Sequence, residues 1–122
     1  MTTRQDIIDQ IESMHSIYYV GMDLSYLDLS GLYLSCADFS YANLSHTNLS
    51  GSILQFVDFI NTNLTGANLS GANLMEANAT CANLTGANLS NATIYGTKLQ
   101  YADLTSTDIT DINLDDAILD GY

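Results

Sequence analysis

From Met22 onward a large apolar residue returns at every fifth position: Leu24, Leu29, Leu34, Phe39, Leu44, Leu49, Leu54, Phe59, Leu64, Leu69, Leu74, Ala79, Leu84, Leu89, Ile94, Leu99, Leu104, Ile109, Leu114 and Leu119. Nineteen of these twenty centres are Leu, Ile or Phe, and Ala79 is the exception. The residue before the centre is Asn or Asp in fifteen units, and the one before that is Ala, Ser or Thr in fifteen. The two residues after it are mostly Ser, Thr, Gly or another polar residue. A period of five suits neither regular element. A helix turning about 100° per residue would set successive centres about 140° apart and smear them around its circumference. A flat strand alternates faces every two residues, so every second centre would face the wrong side. A backbone that turns a corner in each unit returns every centre to a common axis.

A weaker beat of twenty counts the corners. It shows in Gly31, Gly51 and Gly71, in Gly66 and Gly86, and in Phe39 and Phe59, preceded by Asp38 and Asp58. Four units then make one coil, and twenty units make about five coils, a rod about 24 Å long at a strand spacing of about 4.8 Å. The predicted fold is an all-β solenoid, a four-sided parallel β-helix over 22–122, after a cap and connector over 1–21. The centres form the core, and small residues two positions before them let the inner wall close. Proline is absent, as expected of a backbone whose N–H groups must reach neighbouring coils.

These units resemble the pentapeptide-repeat proteins. The family consensus of Ala, Asp or Asn, Leu and two variable residues stands verbatim in Ala67-Asn68-Leu69-Ser70-Gly71, Ala72-Asn73-Leu74, Ala82-Asn83-Leu84-Thr85-Gly86 and Ala87-Asn88-Leu89-Ser90. The resemblance implies a right-handed quadrilateral β-helix with the centre and the Ala-type residue inward and the other three outward. It specifies no single function.

Ahead of the repeats, Thr3 followed by Asp6 reads as a helix start with a carboxylate near the positive end. Ile7, Ile8, Ile11 and Met14 form an apolar stripe at helical spacing. The expected role is a cap over the first coil, whose inward slots are bulky at Met22, Leu27 and Leu32; a partner-binding helix is the alternative. Ile17–Gly21 is expected to be a degenerate unit joining helix to coil. At the other end Asp111, Asp115, Asp116 and Asp120 crowd the last strand edge, a charge device against edge-to-edge pairing.

Charge narrows the partners. Two basic residues, Arg4 and Lys98, face fourteen acidic ones, a net charge of −12. That opposes direct binding to nucleic acid or to an anionic membrane and attracts basic proteins. No apolar run approaches a membrane span and no signal core follows the N-terminus, so a cytoplasmic location is expected. Cys36 and Cys81 make no disulfide framework.

Several apparent motifs carry no chemistry. Asp111, Asn113 and Asp115 open like a calcium loop, but Asp116 stands where Gly is needed and Tyr122 where Glu is needed. Asn43-Leu44-Ser45, Asn63-Leu64-Thr65 and Asn88-Leu89-Ser90 are sequons only because the repeat makes them so. His15 and His46 lack partners at ligand spacing, and the many Ser residues have no base or orienting carboxylate. No enzyme, metal or cofactor is expected.

Two functional expectations remain. In a rigid protein-binding scaffold, the irregular outward positions form the grip: Tyr33, Ile53, Phe56, Met75 and Tyr95 on the third side, with Ile60, Tyr41, Tyr101 and Ile118 on the fourth. Exposed apolar and aromatic strips are what interfaces use. Such a protein would be a monomer or weak homodimer. The alternative is DNA mimicry, since some members of the resembled family imitate duplex DNA and bind gyrase. A duplex of about 24 Å carries about fourteen charges at about one per 1.7 Å, close to the acidic count. Yet between Thr62 and Thr97 the only charged residue is Glu76.

Overall fold

The computed structural model describes residues 1–14 and 16–120; His15, Gly121 and Tyr122 lie outside the described residues. A nine-residue helix, α1 (Arg4–Glu12), precedes a coil in which the residues before the centres, Thr93 excepted, bridge in parallel to the residue twenty further on: Asp23 to Asn43, Asn43 to Asn63, Asn63 to Asn83, Asn83 to Asp103. The twenty-residue beat is therefore the coil, and the chain has four sides, led by Leu24, Leu29, Leu34 and Phe39. The strands expected of a solenoid are single bridges, because a corner in every unit leaves one residue per side to pair.

Following each amide explains the consensus. The centre donates to the next coil, as from Leu24 N to Asn43 O (2.8 Å), and the residue before it donates to the previous one, as from Asn43 N to Met22 O (2.9 Å). Two residues past the centre the N–H again reaches the next coil, as from His46 N to Thr65 O (2.9 Å), and the following N–H closes the turn, as from Thr47 N to Leu44 O (3.2 Å). One donor remains, just past the centre. The Asn or Asp side chain takes it, as when Ser45 N donates to Asn43 Oδ1 at 3.0 Å. Asn and Asp are thus structural parts, since a donor left unpaired is costly.

The corner residue, two past the centre, has left-handed backbone throughout, from φ 64° at Tyr26 to φ 61° at Asp111. This is the third position of a type II turn, which favours Gly. Inward Thr residues hydrogen-bond to the coil before them, Thr47 Oγ1 to Leu24 O (3.0 Å) and Thr62 Oγ1 to Phe39 O (2.8 Å), which is why Thr shares that slot with Ala.

Every centre from Leu24 to Leu99 is buried. Leu104, Leu114 and Leu119 are only half-buried and Ile109 is 38% exposed, a correction to the expected core. Among the described residues no further coil stacks on them. The repeat begins one unit early with Tyr19 as a centre, its hydroxyl donating to Gln10 Oε1 on α1 at 2.6 Å. Burial pushes the Tyr19 phenol up, helped by the charge of Asp6. Tyr19, Phe39 and Phe59 stack down the fourth side with ring centroids 6.2 and 5.8 Å apart. The column is broken at Ala79, and an axial cavity of about 10 Å³ there is lined by centres of all four sides, from Phe59, Leu64 and Leu69 to Ala79 and Leu99.

Thr3 and Asp6 form a reciprocal capping box, and Ile7 is fully buried. Met14 departs from the expected stripe: α1 ends at Glu12, and Met14, at φ 61°, points into solvent. Arg4 reaches the first coil, donating to Asp28 O (2.7 Å) and Ser30 O (3.1 Å). In later coils the equivalent carbonyls, Asn48 O and Ser50 O, accept from the coil before. The guanidinium stands in for that missing coil. No helix among the described residues is long and apolar enough to cross a membrane.

Candidate protein-binding surface

At the position before the centre the first two sides are uniform. Every residue before a centre there is Asn or Asp, each taking the spare amide, and its Ser or Thr neighbour often adds a hydroxyl contact, as from Ser50 Oγ to Asn48 Oδ1 at 2.7 Å. The same contacts hold the carboxyls of Asp23, Asp28, Asp103 and Asp108 below the ordinary range, the hydroxyl of Ser25, Ser30, Thr105 or Thr110 being the largest cause in each case.

All departures from Asn or Asp at that position fall on the third and fourth sides. Tyr33, Ile53, Thr93, Lys98 and Ile118 occupy the Asn/Asp position, so the side-chain acceptor for the spare amide is missing there. The effect is direct at Tyr33: the Oγ of Ser35 is buried with no partner, whereas the hydroxyls of Ser25, Ser30, Ser40 and Ser50, four of its counterparts, donate to an Asn or Asp. Buried Gln100 Oε1, after Lys98, is the other such atom among the described residues. A second departure lies at the corners, where Tyr41, Phe56 and Tyr101, like Tyr26 and His46 on the first side, hold left-handed backbone, at φ 62°, 59°, 59°, 64° and 58°. Bulky side chains pay about 1 to 2 kcal/mol there relative to Gly.

The strip residues are not one straight ridge. Tyr33 and Ile53 are bridge partners in adjacent coils. Met75 and Tyr95 also lie one coil apart but on the other edge of the third side, two positions further along their units. Phe56 sits on the corner between the third and fourth sides, its N–H donating to Met75 O at 3.1 Å. Ile60 lies on the fourth side, separated from Phe56 by Asp58. Tyr33, Phe56 and Tyr95 are 66%, 60% and 61% exposed. Ile53, Ile60 and Met75 are half-buried, less open than expected, so the aromatics dominate the surface.

Sequence reasoning missed one exposed cluster. On the corner between the first two sides, the Tyr26 and His46 rings stack at 5.0 Å, and the His46 ring lies where a Cβ on Gly66 would stand. The signal was available, since Tyr26, His46 and Gly66 are spaced by twenty. No cluster of His, Cys, Asp and Glu suited to a metal occurs among the described residues, and both cysteines are free and exposed.

Residues 21–51 and 52–91 match the pentapeptide-repeat family, in 8 copies. The chain belongs to the pentapeptide-repeat family, whose members fold as right-handed β-helices. Its structure is similar to that of a pentapeptide repeat protein from Nostoc PCC 7120, with 26% identity over 96% of this chain and 95% of that one and a TM-score of 0.81. A pentapeptide repeat protein from the Arabidopsis thaliana thylakoid lumen is 36% identical over 81% of this chain and 66% of that one, with a TM-score of 0.61. Comparison with curated proteins gives no significant match.

Proposed function

We propose that this protein is a non-enzymatic scaffold of about five coils, closed by α1 at one end, that binds another protein through its third and fourth sides. One observation carries the reading: on those sides alone the chain gives up the Asn/Asp turn contact. A hydrogen bond of this kind is worth about 0.5 to 1.5 kcal/mol. Drift at unconstrained positions does not describe residues that displace a structural contact. Residues that cost stability and are exposed fit an interface, where aromatic anchors supply most of the binding energy. The grip comprises Tyr33, Ile53, Phe56, Met75 and Tyr95, with Ile60 at its margin. The partner is a protein attracted by an acidic surface rather than nucleic acid or membrane, and the scaffold itself is a monomer or weak homodimer.

The test replaces costly residues by the repeat's own choices: Tyr33→Asn, Phe56→Gly and Tyr95→Ser together, against Ser50→Thr with Ser70→Thr on the second side. The first variant should melt no lower than the wild type yet lose the partner recovered from native lysate, with binding weakened by about 2 kcal/mol or more. Equal recovery of the same partner by both variants, with the same oligomeric state, would refute the reading.

A further inference from the structure

We propose that the third side of the rod docks a proline-rich segment of the partner, lying along the rod axis in the extended polyproline conformation. This rests on the protein-binding reading and names the chemistry of the partner. Loss of the Asn or Asp before the centre leaves main-chain donors open. On the third side the N–H groups of Ser35, Gln55 and Tyr95 meet no acceptor among the described residues, whereas Met75 N, in the same column, donates to Asn73 Oδ1 at 3.1 Å. The Ser35 hydroxyl is also buried without a partner. This side of the rod is short of acceptors, and a ligand that fits it brings them.

Hydrogen bonding, spacing and charge select the occupant. Proline carries a carbonyl but no N–H, so a proline-rich chain offers acceptors and strands no donor of its own. Its polyproline helix turns once in three residues of about 3.1 Å each, a repeat of about 9.3 Å. Gln55 and Tyr95 stand two coils apart in one column, about 9.6 Å at a strand spacing of about 4.8 Å, so carbonyls three residues apart fall in register with both N–H groups. The side chains there are apolar: Phe56, next after Gln55, and Tyr95 are exposed, and half-buried Met75 lies between them along the rod. Aromatic-lined surfaces are what polyproline segments dock on. From Tyr33 to Tyr95 the residues flanking the third-side centres are all uncharged, while the whole chain carries a net charge of −12. That charge repels a carboxylate or phosphate acceptor and a second copy of this chain, but not a neutral segment.

The experiment is fluorescence anisotropy of the full chain with a labelled oligoproline, compared with an uncharged glycine–serine peptide of the same length. The oligoproline should bind about tenfold tighter or more. Ile53→Asn with Thr93→Asn restores the side-chain acceptor beside Gln55 N and Tyr95 N; Ile53→Ala with Thr93→Ala changes the same side chains and supplies none. The Asn pair should bind oligoproline about tenfold more weakly than the Ala pair, because both donors are then occupied from within the chain. It should also melt above the Ala pair, having regained the turn contacts, which separates lost recognition from lost fold. Equal binding by the two pairs would overturn the proposal, as would equal affinity of the wild type for the two peptides or no binding of oligoproline at all. Since Tyr33, Phe56 and Tyr95 are untouched here and the ligand is a defined peptide, failure of this test leaves the strip experiment standing, and the reverse.

Discussion

Ala79 is the sharpest place to test how the core is stacked. Phe59 precedes it and Leu99 follows it on the same column, and the aromatic stack of Tyr19, Phe39 and Phe59 ends there against a cavity of about 10 Å³. At about 24 cal/mol per Å³, the void itself costs only about 0.2 kcal/mol. Filling it matters more: Ala79→Leu adds three carbons, worth up to about 2.4 kcal/mol at about 0.8 kcal/mol each if they enter without strain. Overpacking takes back about 1 to 3 kcal/mol. The two nearly cancel, so Ala79→Leu should lie within about 1 kcal/mol of the wild type, on the stabilising side if Phe59 yields. Leu69→Ala, which removes a fully buried leucine from the second side, should lose about 2 to 5 kcal/mol. Equilibrium urea unfolding with an unchanged slope separates these outcomes. If Ala79→Leu costs as much as Leu69→Ala, the assigned stacking is wrong.

Two further predictions concern the end and the corners of the rod. Arg4→Ala should cost about 1 to 2 kcal/mol through the two abandoned first-coil carbonyls, with Arg4→Lys recovering little because an ammonium lacks the fork; Asp28→Asn, which removes only the surface ion pair, should cost less than about 1 kcal/mol, all read by thermal melting. Gly51→Ala, at φ 63° with open space around it, should cost about 1 kcal/mol from the backbone alone, whereas Gly66→Ala also displaces the His46 ring. The excess at Gly66 should vanish in a His46→Ala background, and its persistence there would sink the ring-displacement account.

The core was legible because a strict period leaves one geometric solution. Phe39 with Asp38, repeated as Phe59 with Asp58, was enough to set the coil at twenty residues, and the bridge from Asp38 to Asp58 has that spacing. The helix start was legible from Thr3 and Asp6, but its end was not: Met14 continues the apolar spacing, and nothing in its chemistry announces left-handed backbone. The same blindness applied at the corners. Gly31, Gly51, Gly66 and Gly71 were read only as a beat of twenty; they stand at positive φ, and Tyr26, Phe56 and Glu76 occupy equivalent positions with side chains that disguise it. The fading of the core at Ile109 depends on which coils stack upon which, and local pattern does not contain it.

What altered the reading of the surface was the role of the Asn and Asp residues. Seen along the chain they look like a preference for polar side chains facing water, so Tyr33 and Ile53 look like harmless substitutions. In three dimensions each Asn or Asp closes a specific amide, and the stranded Ser35 hydroxyl shows what Tyr33 displaces. A repeat protein supplies its own control for this argument, because the same backbone environment recurs with the favoured residue in it: Asp23 and Asp28 in the same coil, Asn73 in the same column two coils on. Wherever a costly residue replaces a favourable one in an otherwise identical setting, folding alone does not account for it. On this rod the lost Asn and Asp contacts gather on two adjacent sides, and the surface they form is the part of the molecule that stability does not explain.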